Sequence, residues 1–347
     1  PHQGNFCSNG IIPPTREESA KLKEVKAAHQ FVKFAVKDIN AKKNRATITI
    51  YNDYDFTSLS DFNLVYEVVK EGRVVATRTV KLPAVKPHDT WTGDIKLPKV
   101  TLKKAKANKQ EILLNLRLVR RAATAYSEAG HEEALAQFAL VERGDLPKIE
   151  AKGEHILATS SLHEVMVGND KVQATFDAET GRLTALAFEG RNIIADGQGF
   201  LYDNHRYIEN DRFQNTSNGL EGKGTIKVDN KDGKVIVTTE RKGSICDTKI
   251  VYTLYPQGIV DVEATFVPKS GNLRRAGLVC MVDSSLHNVD YYAYGPWENY
   301  CDRKDGALVG RYSSTVSEMP ERYVKPQSTG GREGLRELTL TDDKGTG

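Results

Sequence analysis

From residue 31 onward, hydrophobic residues recur at every second position in short runs bounded by Gly, Pro, Asn or Asp. Period two is the spacing of a strand with one buried face, so an all-β fold is expected. In the first half, 31–36, 46–51, 62–69, 73–80, 112–119 and 135–141 read as strands, with Glu71-Gly72 as a hairpin turn between the third and fourth. About seven short strands in about 115 residues suit an immunoglobulin-like sandwich, here without the Cys–Trp–Cys trio of antibody domains. Beyond the linker-like Gly144-Asp-Leu-Pro147, three longer hairpins pair 171–177 with 182–188, 224–229 with 234–239, and 248–255 with 259–266. They predict a larger antiparallel sandwich.

One helix is signalled ahead of the strands. Thr15, with Glu18 three residues later, fits a capping box, and 16–27 follows in good helix formers. Residues 1–27 therefore read as a tail plus linker helix, 28–145 as the Ig-like sandwich, and 149–347 as the larger sandwich. The absence of a starting Met, and a turn-like 341–347 directly after strand-like 338–340, predict a piece of a longer protein, truncated at both ends.

Composition narrows the function classes. Lys plus Arg number 49 and Asp plus Glu 46, a balance of +3 that does not fit a dedicated nucleic-acid binder. The longest apolar run, 276–282, is strand-length and far short of the ~20 residues that span a bilayer, so no membrane partner is expected. Cys7, Cys246, Cys280 and Cys301 form no CxxC and complete no zinc pattern with His; buried free thiols are expected. The Lys-rich 103–106 reads as a solvated loop.

No HExxH, GxSxG, P-loop or GxGxxG is present. Glu128, with His131 nearby, and Glu298, beside a Gly-Pro turn, are the carboxylates best placed for acid–base work. The favoured reading of each is nonetheless a turn residue accepting backbone amides, and the same holds for Asp203, Asn204, His205, Glu209 and Asp211. Two clusters carry the aromatic and planar polar groups that sugars stack on: 288–302, with four tyrosines and Trp297, and 200–207. The alternative is that these tyrosines are strand residues with rings in the core.

Several segments, in order along the chain, carry a resemblance. They are Asn5-Phe-Cys-Ser-Asn-Gly10, Glu24-Val-Lys26 with His29-Gln30, Ala123-Thr-Ala-Tyr-Ser-Glu-Ala-Gly-His131, Tyr294-Gly-Pro-Trp-Glu-Asn-Tyr-Cys-Asp-Arg303, and Tyr323-Val-Lys-Pro-Gln327 with Gly330, Arg332 and Arg336. The sequence resembles the C-terminal portion of bacterial LacZ-type β-galactosidases of glycoside hydrolase family 2. That resemblance implies an Ig-like sandwich followed by a galactose-mutarotase-like sandwich. It also implies retaining hydrolysis of terminal β-D-galactosides by two glutamates of a catalytic barrel upstream of Pro1. No catalytic residue is then expected in this chain, and Glu128 and Glu298 match noncatalytic positions.

By the same resemblance, Asn9 and the Phe6 carbonyl would help hold a sodium ion beside the galactose 6-hydroxyl, and magnesium would sit in the barrel. Tyr291 would take the place of an aglycone-side tryptophan. The barrel, the galactoside and a homo-oligomer are the implied partners, in the cytoplasm or periplasm of a bacterium. The alternatives are a carbohydrate-binding or scaffolding module, and a family 2 enzyme acting on another β-glycoside.

Overall fold

Two sheets of alternating pattern close the first half of the chain around one core. The computed structural model describes residues 10–98, 102–208, 223–269, 273–325 and 327–347. The first seven strands are β1 (Val32–Asn40), β2 (Arg45–Asn52), β3 (Phe62–Lys70), β4 (Arg73–Lys81), β5 (Thr90–Lys96), β6 (Ile112–Arg120) and β7 (Glu132–Val141). They pair as β1-β2-β5 and β4-β3-β6-β7, all antiparallel. Inward positions such as Ile48, Ile50, Leu64, Tyr66, Ile95, Leu114 and Leu116 are buried together between the sheets. At the β3–β4 turn Glu71 and Gly72 both have positive φ, 47° and 75°, the backbone of a type I′ hairpin.

Three local expectations differ from the structure. β5 had no periodic signal: its outward residues are exposed and only Ile95 is fully buried. Residues Leu102–Ala107 form a short helix, α2, because Leu102 and Ala105 are buried while the lysines face out. The N-terminal helix, α1, spans Ala20–Ala28, four residues later than the capping box placed it. Arg16 closes a turn onto the Pro13 carbonyl at φ 62°, which takes it out of the helical region. Ser19 caps instead, its hydroxyl accepting from the Leu22 amide at 3.4 Å and donating to the Ile11 carbonyl at 3.1 Å.

The rest of the chain supplies β8 (Leu157–Ser160), β9 (Glu164–Gly168), β10 (Val172–Asp177), β11 (Leu183–Phe188), β12 (Arg191–Asn192), β13 (Leu201–Asp203) and β14 (Gly224–Lys231). It continues with β15 (Lys234–Arg241), β16 (Cys246–Tyr255), β17 (Ile259–Pro268), β18 (Gly277–Val279), β19 (Asn288–Gly295), β20 (Leu308–Thr315) and β21 (Glu337–Thr341). Sheets β12-β11-β10-β9-β8 and β14-β15-β16-β17 share a second core around Phe176, Leu183, Val237, Tyr252 and Leu254. The three predicted hairpins are β10–β11, β14–β15 and β16–β17. A separate sheet, β20-β19-β21, lays Tyr292 and Val309 against Val69 and Leu113 of the first sandwich. Its other face packs Val289, Tyr291 and Ala293 with Tyr312, Met319 and Leu340. That contact explains why β6 is buried on both faces over most of its length.

Candidate functional site

Of the residues that stood out in sequence, Tyr291 and Glu298 meet at the loop that leaves β19. Gly295–Pro296 is a cis peptide, after which Glu298 and Asn299 turn inward at 4% and 1% exposure. One Glu298 oxygen accepts from the Arg303 guanidinium and the Tyr323 hydroxyl; the other accepts from Thr329 Oγ1 at 2.5 Å and the Gly330 amide at 2.6 Å. An ionised carboxylate has about four acceptor positions, so these four donors saturate it. Burial alone would push its pKa up, but the hydrogen bonds from Thr329, Tyr323, Gly330 and Arg303 prevail and hold it below the ordinary value of 4.5. Burial, reinforced by the bond to Glu298, drives the Tyr323 pKa upward, which keeps its hydroxyl a donor.

Asn299 braces the same loop. Its amide donates to the Tyr294 and Trp297 carbonyls at 3.1 and 2.9 Å and accepts from the Glu333 amide at 2.7 Å. Beside this loop, residues Gly10–Lys21 and Pro320–Val324 wall a cleft of about 600 Å³.

A second buried carboxylate lies where the two halves meet. Glu111, 2% exposed, takes both nitrogens of the Arg336 fork at 2.8 and 3.1 Å, and the Tyr292 hydroxyl as well. Burial again opposes ionisation, and the bonds from Arg336 and Tyr292 outweigh it, so its pKa is lowered. Arg311 crosses the Tyr292 ring at 4.8 Å and pairs with Glu337 at 2.6 Å. Both buried carboxylates are therefore held ionised by their hydrogen-bond donors, four on Glu298 and three on Glu111, a state suited to bracing rather than to giving up or taking a proton.

The residues 168–346 match the family model of the β-galactosidase small chain, and 48–141 match that of β-galactosidase domain 4. The chain belongs to the β-galactosidase small-chain family. Curated relatives agree. A β-galactosidase of Priestia megaterium is 27% identical across the whole chain, one of Streptococcus thermophilus 26% across the whole chain, and one of Actinobacillus pleuropneumoniae 26% across 97% of it. The chain spans about a third of the length of these relatives.

Against this β-galactosidase background, the sequence candidates separate. Phe6, Asn9 and Cys7, like Glu209 and Asp211, lie outside the described residues. Glu128 is exposed in the turn before β7, where its carbonyl accepts from the His131 amide at 3.2 Å. Asp203 pairs with Arg275 and accepts the His205 amide at 3.0 Å; Asn204 is buried and His205 exposed. Tyr291 is 4% exposed, its ring against Tyr312 at 5.6 Å and its hydroxyl donating to the Pro296 carbonyl at 3.2 Å. Arg332 donates to that hydroxyl at 3.3 Å. Tyr202 and Tyr292 are likewise core residues, at 6% and 0% exposure.

Cys246, Cys280 and Cys301 are free thiols, of which Cys246 is buried, Cys280 half-buried and Cys301 exposed. Sequence reasoning missed Glu111 and Gln137, and had Arg336 only within a motif, without its partner. Their partners lie 225 and 172 residues away, and no local pattern signals contacts at that range.

Proposed function

We propose that this chain is a noncatalytic portion of a retaining β-galactosidase that hydrolyses terminal β-D-galactosides, supporting the catalytic barrel and one side of its pocket. The state of the two buried carboxylates carries the reading. Retaining hydrolysis needs two carboxyl groups about 5 Å apart, one of them able to hold a proton at working pH. Glu298 and Glu111 have lowered pKa values, and the four donors on Glu298 leave it no acceptor position for a sugar or water. Family membership supplies the galactoside, and a chain a third of its relatives' length leaves room for the carboxylates elsewhere.

Within this reading Tyr291 supports the aglycone side from beneath the Gly295–Pro296 turn. The Phe6 and Asn9 oxygens suit a hard cation such as sodium. The division at residues 28 and 149 belongs to the same reading.

The complete polypeptide should hydrolyse a chromogenic β-galactoside with retention at the anomeric carbon. Preference for another β-glycoside, or inversion, would overturn it. Calorimetry on the isolated chain separates the carbohydrate-binding alternative: no saturable heat with galactose or lactose is expected, and a clear isotherm would favour that module.

A further inference from the structure

The loop between β6 and β7, residues 121–131, lies at one end of the first sandwich and is exposed along almost its whole length. It shares that end with the loops 53–61 and 82–89 and with the start of β1. Three aromatic rings stand out there: Phe56 is 97% exposed, Tyr126 80% and Phe31 54%. Single exposed apolar residues are ordinary on a surface, but large rings gathered at one end mark an interaction site.

The loops that carry the rings are braced from below. Asn52 is fully buried; its amide donates to the Thr57 and Val85 carbonyls at 2.9 and 3.1 Å, and its side-chain oxygen accepts from the Tyr54 amide at 3.2 Å. Backbone bonds from Asn52 to Asp89 and from His88 to Asn52, at 2.9 and 2.7 Å, tie the same two loops again. Thr124 closes the third loop, its Oγ1 accepting from the Tyr126 and Ser127 amides at 3.3 and 3.0 Å. Arg120 then fixes the Tyr126 side chain. It donates to that hydroxyl at 3.1 Å and lies over the Tyr126 and Phe62 rings at 5.4 and 5.1 Å. Tyr54 continues the stack from Phe62 to Phe31, with centroids 5.6 and 5.0 Å apart. A ring fixed before it meets a partner loses little entropy on binding, which is the property of an interface anchor.

The rim around the rings is acidic, with Asp55, Asp61, Asp89 and Glu128 exposed beside Lys86. It favours a partner with apolar sockets edged by Lys or Arg. About two-thirds of the length of the β-galactosidase relatives lies outside their match to this chain, so one polypeptide can hold both surfaces. Linked in that way they meet at high effective concentration, and a few anchors suffice.

We propose that this end of the first sandwich docks on the part of the β-galactosidase polypeptide outside this chain, with Phe56 and Tyr126 as the anchoring rings. The β-galactosidase reading enters only as the source of that partner.

Hydroxyl-radical labelling of the complete polypeptide tests the docking. Phe56 and Tyr126 should label about tenfold more slowly than the same residues in short peptides, as rings at the centre of an interface do. The protection should persist on dilution. Phe56→Asp sets a carboxylate against an apolar socket, so it should speed labelling of Tyr126 severalfold while the core ring of Phe176 stays protected.

Peptide-like labelling of both rings would overturn the proposal. So would protection lost on dilution, which would make the occupant a second copy, or Tyr126 labelling unchanged by Phe56→Asp. Turnover of a chromogenic galactoside by the same preparation tests the underlying reading separately: protected rings without turnover would uphold the docking and overturn the activity.

Discussion

The first sandwich and the β20-β19-β21 sheet are held in different ways. The first sandwich encloses a continuous apolar core between its own sheets. The three-stranded sheet has only small apolar clusters on its two faces, and the face that meets the first sandwich is joined by polar groups aimed across the gap. Arg336 and Tyr292 converge on Glu111, and Gln137 of β7 bonds both backbone groups of Val309 at 2.9 Å, as a strand neighbour would. Apolar burial is non-directional, whereas these bonds exist at only one relative placement. The second kind of contact fixes a relative placement that apolar burial leaves free.

The largest expected effect on that contrast comes from Glu111→Ala, which leaves the Arg336 guanidinium and the Tyr292 hydroxyl without their buried partner. Destabilisation of about 3–5 kcal/mol is expected by denaturant unfolding, as great as a large-to-small change at Leu114 in the apolar core. A cost under about 1 kcal/mol would mean that the junction is held by its apolar contacts after all. Gln137→Ala should cost less, about 1–3 kcal/mol, since it strands the Val309 amide and carbonyl. A neutral result would show water replacing the amide and an open seam at the β7 edge.

A smaller effect is expected from pH. Both carboxylates have folded pKa values below 4.5, so the stability they contribute is fully present above that pH and is lost as pH falls through the lowered values. Melting temperature should be level from pH 7 to about 5 and fall below about 4.5. Glu298→Gln should flatten part of that fall, and an identical acid profile would contradict the assignment of Glu298 as a fully bonded, ionised group.

How much of this was legible follows from the same contrast. Alternation is a local signal, so strands such as β2, whose buried residues fall at every second position, can be read from sequence. β5 escaped because a half-exposed strand with a central Gly93 buries too little to leave a pattern. The helix start was misplaced because Thr15 and Glu18 fit a cap locally, while Arg16 turned the chain and gave the role to Ser19. Glu298 could be found as part of a motif, but its four donors come from residues 303, 323, 329 and 330, and only the fold brings them to one carboxylate. Glu111 had no signal at all: it looks like one more charged residue before a strand, and its partner Arg336 is 225 positions away.

The most direct test of a supporting, noncatalytic role is turnover of a chromogenic β-galactoside by the purified chain and by its Glu298→Gln variant. The account predicts no rate above buffer from either protein. A saturable rate in the parent chain that disappears in Glu298→Gln would contradict it, since a carboxylate placed here as a brace would then be doing the chemistry.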